Sequence, residues 1–119
     1  MNTYVDGFVI AVPTARKHKY LEQATIAAQV LKECGALEVV ECWGDDVPEG
    51  KVTSFTMAVK RQDDESVVFS WVTWPSKEVR DAGMKKFMED PRMQDGMKNM
   101  PFDGQRMIYG GFRVILEKK

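Results

Sequence analysis

Residues 67–75 restrict the fold of this chain more than any other segment. They read VVFSWVTWP, a run of β-branched and aromatic residues that favours a β-strand and ends at a proline, which cannot extend the ladder. Side chains alternate between the two faces of a strand, and both alternating sets are mostly apolar here. The sequence therefore predicts a central strand with both faces covered. One layer of helices covers one face only, which leaves the second face for a ligand, another segment or a second copy of the chain.

Hydrophobic alternation and helical periodicity predict the other elements. Thr14 is a predicted cap for the first helix, and Gly35 is expected to end that helix in a left-handed conformation. Ser76 and Asp90 are predicted caps for later helical segments. Residues 51–61 fit either a short helix or a strand, so their type stays open. The predicted strands cover residues 4–12, 36–43, 67–74 and 105–116, and the predicted helices cover residues 15–34 and the segments that follow Ser76 and Asp90.

The order strand, helix, strand, insertion, strand, helix, strand is that of a ferredoxin-like split βαβ fold. It predicts an α+β protein with a four-stranded antiparallel sheet and both main helices on one face, and right-handed crossovers place the first and third strands in the centre. No repeat or linker divides residues 1–119, which are predicted to form one ferredoxin-like domain. The face without helices would expose apolar side chains from all four strands, more than a monomer usually leaves uncovered. A homodimer that packs sheet against sheet is therefore predicted.

Composition and charge exclude several classes of function. With 17 Lys and Arg against 18 Asp and Glu, the chain has a net charge of −1 and no basic block, which argues against nucleic acids and anionic membranes as partners. No apolar run is long enough to span a bilayer and no signal peptide is recognisable, so a cytoplasmic location is predicted. Cys34 and Cys42 lack a CxxC or Cys/His partner and are interpreted as small buried apolar residues.

The sequence carries no signature of a cofactor or a metal. Nucleotide, zinc and haem motifs are absent, and the acidic loop at residues 45–49 lacks the regular oxygen-ligand spacing of a calcium site. The only histidine, His18, lies on the polar side of the first predicted helix, which predicts a solvated side chain rather than a haem ligand or a general base. No cofactor and no metal are therefore expected.

Three charged residues alternate with apolar residues on predicted strands, namely Asp6, Glu41 and Arg113. An unpaired buried carboxylate would be costly, so one interpretation is that these charges pair with one another or with groups of a partner chain at the dimer interface. The other interpretation places them in a pocket with aromatic walls that binds a small polar or anionic molecule, with Asp6 or Glu41 as a proton acceptor. The residues predicted to shape this pocket are Tyr4, Trp43, Trp71, Tyr109 and Arg113.

Five segments carry a further signal, namely residues 4–9 (YVDGFV), 35–42 (GALEVVEC), 51–55 (KVTSF), 67–71 (VVFSW) and 101–112 (PFDGQRMIYGGF). Together they resemble the YbaA-like family of uncharacterised bacterial proteins. The resemblance implies the dimeric α+β barrel superfamily, whose members include antibiotic monooxygenases, haem-degrading enzymes, muconolactone isomerases and stress-responsive proteins. It implies no reaction and no catalytic residue, because one fold hosts many chemistries.

Two classes of function follow from the sequence. The first is a cytoplasmic homodimer of unknown function with a small-molecule pocket, which binds a metabolite or a protein without catalysis. The alternative is a cofactor-independent small-molecule enzyme of the monooxygenase or isomerase type. A closed apolar cavity that contains an unpaired carboxylate would indicate the enzyme, whereas an interface with every charge paired would indicate the binding protein.

Overall fold

A computed structural model describes residues 2–119, in which the main strands and helices alternate as predicted. None of the helices in these residues combines the length and the hydropathy that a membrane-spanning segment needs. The strands are β1 (Tyr4–Pro13), β2 (Glu38–Trp43), β3 (Glu65–Trp74) and β4 (Ile108–Arg113), and the helices are α1 (Lys17–Glu33), α2 (Phe55–Ala58), α3 (Lys77–Glu89) and α4 (Pro91–Lys98).

Helix termini follow the capping residues in most places. The Ser76 hydroxyl accepts a hydrogen bond from the Val79 amide at 3.2 Å, and Gly35 has a φ of +113°, so both predictions are confirmed. Asp90 likewise caps α4. The predicted cap at Thr14 is wrong, because a 3-10 turn precedes α1 and the Thr14 hydroxyl makes no capping bond.

Two segments differ from the predicted elements. Residues 51–61 contain a helix, the four-residue α2, and no strand. The Ser54 hydroxyl caps α2 by accepting a hydrogen bond from the Met57 amide at 3.0 Å. The last strand is shorter than the predicted 105–116 at both ends, because a 3-10 turn at Gly104–Arg106 precedes it and the strand ends at Arg113.

The strands form one antiparallel sheet in the order β2, β3, β1, β4. This order confirms the first and third strands as the central pair, and the topology is the predicted ferredoxin-like α+β fold. Helices α1 and α3 pack on one side of the sheet, here called the helix face. Buried side chains of β1 and β3 contact Tyr20, Ala24 and Leu31 of α1 and Met84 and Phe87 of α3 there.

The opposite side of the sheet, here called the open face, is covered at one end only. There Val59, which follows α2, is fully buried against Val9, Ala11 and Val67. The insertion between β2 and β3 therefore covers part of the open face through apolar contacts. The side chains that stay uncovered include Phe69, Ile108 and Phe112, which are 44%, 44% and 61% exposed.

Arg106 joins three segments at this end of the sheet. Its guanidinium donates to both carboxylate oxygens of Glu65 at 2.8 and 2.6 Å and to the Lys60 carbonyl oxygen at 2.8 Å. Its Nε donates to Asp103 at 3.1 Å. The hydrogen bonds from Arg106 lower the pKa of the Glu65 carboxyl, which is buried. This Arg106 clasp fixes the start of β3, the segment after α2 and the turn before β4 to one another.

Candidate functional site

Asp6 lies on the helix face and is fully engaged by donors. The side chain of Arg80 in α3 donates to both Asp6 oxygens, with the shortest distance, Nη2 to Oδ1, at 2.7 Å. The indole Nε1 of Trp74 donates to Asp6 Oδ2 at 2.9 Å. The hydrogen bonds that Arg80 donates to Asp6 raise the pKa of the Arg80 guanidinium. Asp6 is only 4% exposed, so its carboxylate is a buried structural anion rather than a free base.

The predicted mutual pairing of Asp6, Glu41 and Arg113 is wrong within the chain, because Arg80 takes the place expected for Arg113. Arg113 itself is exposed at the end of β4. The sequence does carry a signal for Arg80, since Arg80 precedes Gly83, Met84 and Phe87 at helical spacings of three, four and seven. An arginine on the apolar stripe of a helix that covers a sheet is expected to meet a carboxylate there.

Glu41 forms a second polar contact on the helix face, at the edge strand β2. The Tyr20 hydroxyl donates to Glu41 Oε1 at 2.7 Å, beside the rings of Trp43 and Phe102. Burial raises the pKa of the Tyr20 hydroxyl, and the Glu41 carboxylate raises it further. Desolvation of the Glu41 carboxyl raises its pKa, and the hydrogen bond from Tyr20 opposes that rise. Other atoms of Glu41 remain exposed to solvent.

Replacing Glu41 with glutamine is expected to raise the urea midpoint of unfolding at pH 7. A carboxyl whose pKa is raised by folding contributes stability below its unfolded value of about 4.3, and that contribution is lost as the pH rises through the folded value. The glutamine amide oxygen still accepts from Tyr20 but carries no charge to desolvate. The gain over wild type should shrink between pH 7 and pH 4.

The matched control for this prediction is Glu38→Gln on the same strand, which removes the charge of an exposed carboxylate and leaves the contact between Tyr20 and Glu41 in place. Urea titrations followed by tryptophan fluorescence at pH 4 and pH 7 measure all three proteins. A midpoint for Glu41→Gln below that of wild type at pH 7 would show that the ionised carboxylate stabilises this region.

The five residues predicted to shape one pocket do not converge. Tyr109 stacks on Phe8 across the sheet at a centroid distance of 6.5 Å and is 72% exposed. Trp71 points to the open face, where its indole donates to Glu38 at 3.3 Å. Trp43 lies at the β2 edge with the Lys17 ammonium 5.2 Å from its ring centroid. Tyr4 and Arg113 face each other in the register of β1 and β4, at the far end of the helix face.

Two adjoining cavities lie at the rim of the open face, below the insertion that contains α2. The first, here called the apolar recess, has a volume of about 170 Å³, and the second, here called the polar cleft, has about 190 Å³. They share Gly44, Val47 and Val67, so an apolar and a polar compartment meet. The recess is otherwise lined by Cys42, Trp43, Phe55 and Phe69, and the cleft by Asp45, Glu49, Thr56, Arg61, Glu65 and Ser66.

Of the predicted pocket residues only Trp43 lines either cavity. The recess depends on Phe55, whose ring packs against the Phe69 ring at a centroid distance of 5.9 Å. The sequence did not predict the position of the recess, because residues 51–61 fit either a helix or a strand. In the polar cleft, the Arg61 Nη2 and Glu49 Oε1 atoms lie 3.7 Å apart. That separation is too long for a hydrogen bond.

Groups that would hold a metal or react with a substrate are scarce in residues 2–119. No three His, Cys, Asp or Glu side chains among them are grouped as metal ligands. Cys34 and Cys42 are free and half-buried, where the sequence predicted fuller burial. His18 is solvated as predicted, with its side chain 89% exposed and its Nε2 3.0 Å from Glu22.

Comparisons with known proteins agree with the fold. A dimeric ferredoxin-like protein from an uncultured marine organism superposes with a TM-score of 0.67 at 7% identity, over 99% of this chain and 100% of that one. SnoaB, a cofactor-independent oxygenase from Streptomyces nogalater, has a TM-score of 0.62 at 9% identity over 98% and 97% of the two chains. At such low identities the likeness establishes the fold and nothing about the chemistry.

Sequence relatives place the chain more narrowly. The uncharacterised protein YbaA of Escherichia coli strain K12 is 60% identical over 115 residues, which are 97% of this chain and 98% of the relative. The same identity and coverage are found for YbaA of Shigella flexneri. The resemblance to the YbaA-like family is thereby confirmed. Residues 3–104 match the family described as protein of unknown function, DUF1428, and the chain belongs to that family.

Proposed function

We propose that this chain functions as a homodimer, paired through the open face, that binds a small molecule or a protein without catalysis. The observation that carries the proposal is the uncovered apolar surface of the sheet, where Phe69, Ile108 and Phe112 stay largely exposed. The middle of this face carries no charged side chain, and its two glutamates, Glu38 and Glu65, lie near the ends of β2 and β3. A surface of this kind meets a second copy of itself without repulsion.

The area of the open face fits a dimer interface. Four strands of six to ten residues, spaced about 4.8 Å apart with a rise of about 3.3 Å per residue, span roughly 500 Å² in projection. Two copies packed face to face would therefore bury on the order of 1,000 Å² or more, which is the lower bound for a specific interface. The superposed marine protein is itself dimeric and ferredoxin-like, and its fold supports this arrangement.

A binding role accounts better than an enzymatic role for the polar groups. Asp6 is saturated by Arg80 and Trp74, and Glu41 is bonded to Tyr20, so neither is a free proton acceptor in a closed cavity. The apolar recess at the rim of the open face instead offers aromatic walls to a small apolar molecule. The similarity to the oxygenase SnoaB is one of fold, and a shared fold does not imply a shared reaction. The free thiols of Cys34 and Cys42 fit the cytoplasmic location that the sequence predicts.

Sedimentation velocity at low micromolar protein is expected to give a dimer for the wild type. Phe112→Asp should yield a folded monomer, because it places a charge in a dry interface. Tyr109→Asp is the matched control, an exposed aromatic three residues earlier on the same strand and on the helix face. It should leave the dimer intact.

Native mass spectrometry of the same proteins measures the dimer and any retained small molecule as added mass. A wild-type chain that is fully folded by circular dichroism and sediments as a monomer at these concentrations would refute the homodimer. In that case the insertion around α2 would be the only cover of the open face.

A further inference from the structure

Two glycines face each other on the open face, although their backbone conformation does not require glycine. Gly7 and Gly110 are paired in the register of β1 and β4, and neither has a positive φ. A Cβ added at Gly7 or Gly110 would come no closer than 3.7 or 3.5 Å to another atom, which is ordinary van der Waals contact. Glycine weakens a strand and often marks the close approach of another backbone or ligand. The lack of side chains at Gly7 and Gly110 therefore leaves this part of the open face thinner than the rest of the sheet and available to a group from outside the protomer.

The nearest atoms to both glycines belong to the ring of Phe112. Phe112 is 61% exposed and lies on the same face of β4, so its ring leans over the two glycines and leaves a side open to solvent. Gly7, Gly110 and Phe112 together form a low apolar surface, here called the floor. The floor occupies the half of the open face built by β1 and β4.

The other half of the open face, built by β2 and β3, carries a cluster of aromatic rings. Phe69 packs against Phe55 and Trp71 with ring centroids 5.9 and 5.6 Å apart, and the three rings are here called the ridge. Trp71 lies directly opposite Gly7 in the register of β1 and β3, and its indole is turned away toward Glu38 on β2. Ridge and floor therefore lie side by side at the same height along the strands.

We propose that the floor of one protomer receives the ridge of a second copy of this chain, an inference that rests on the homodimer proposed above. A two-fold axis in the interface, running along the strands between β1 and β3, exchanges the two halves of the open face. It sets each ridge over the partner's floor, so that the same contact occurs twice in the dimer, as an isologous interface requires. Gly7 and Gly110 are then glycines because bulky rings of the partner need the volume that a side chain would fill.

Gly110→Val tests the floor. Valine suits a strand, and the chain itself has room for its Cβ, so the variant should fold while its dimer dissociation constant rises about 30-fold or more through two overpacked contacts. Gly96→Val is the matched control, because Gly96 lies in α4 with open space around it and should leave the dissociation constant unchanged. Sedimentation equilibrium measures both, with circular dichroism as the check on folding.

A mixing experiment then tests whether the ridge is what fills the floor. Trp71→Ala trims the ridge, so a heterodimer of Gly110→Val with Trp71→Ala pairs a filled floor with a trimmed ridge and keeps the second contact wild type. Native mass spectrometry separates the species by mass and should find heterodimer well above the roughly half share of random exchange. Phe69→Ala serves as the second ridge variant if Trp71→Ala does not fold.

The outcomes distinguish this inference from the proposed function. A Gly110→Val dimer as tight as wild type overturns the floor, and the homodimer stands. A weakened Gly110→Val dimer that gains no heterodimer with either ridge variant overturns the match between floor and ridge. A wild-type monomer overturns the homodimer and this inference together.

Discussion

Asp6→Ala is expected to lower the free energy of unfolding by about 3 to 5 kcal/mol, the range for removing one partner of a buried ion pair. The substitution leaves the largely buried Arg80 guanidinium without its main carboxylate and the Trp74 indole without an acceptor. Urea titration at pH 7 measures the change.

Asp81→Ala is the matched control for this prediction. Asp81 accepts a hydrogen bond from the same Arg80 at 3.0 Å, but its side chain is about half exposed, so its loss should cost less than about 1 kcal/mol. Equal losses for the two variants would mean that burial adds nothing to the Asp6 pair. They would also reopen Asp6 as a residue kept for function rather than for the fold.

Gly83→Ala is expected to be the second large effect, a loss of about 2 kcal/mol although alanine favours helices by about 1 kcal/mol. A Cβ at Gly83 would lie 2.6 Å from Trp74 Cζ3 and 2.7 Å from the Cys34 carbonyl oxygen. Trp74 is fully buried and the carbonyl is backbone, so neither can move without disturbing the contact between α3, α1 and β3.

Gly96→Ala supplies the control for this second prediction. Gly96 lies in α4, and a Cβ added there would have no other atom within 4 Å. The same substitution at Gly96 should therefore stabilise the protein by up to about 1 kcal/mol. Thermal and urea unfolding of the two variants measure the opposite signs. A Gly83→Ala protein as stable as Gly96→Ala would show that α3 can shift away from the sheet at little cost.

The elements that sequence reasoning predicted are those determined by local pattern. The alternating strand around Trp71, the caps at Ser76 and Asp90 and the left-handed Gly35 all follow from neighbouring residues. The central position of β1 and β3 followed from the handedness of crossovers, which is a general property of such folds.

The parts that sequence reasoning missed depend on contacts between distant residues. Asp6 and Arg80 are 74 positions apart, and a charge pattern does not say which arginine reaches a given carboxylate. The length of β4 is shortened by the turn at Gly104–Arg106, which the bonds from Arg106 to Glu65 hold across 41 positions. The residues predicted to shape one pocket lie apart for the same reason, and the recess is formed by the packing of the short α2 on the sheet.

The pairing of β1 also affects the order in which the sheet can form during synthesis. Its two neighbours in the sheet are β3 and β4, so Tyr4 must find Trp74 and Arg113 across most of the chain. Contacts between residues so far apart in sequence slow folding. With translation at about 5 to 20 residues per second, β1 emerges from the ribosome several seconds before β3 can pair with it. During that interval its apolar side chains and the Asp6 carboxylate are exposed together, and they are most open to capture by a chaperone.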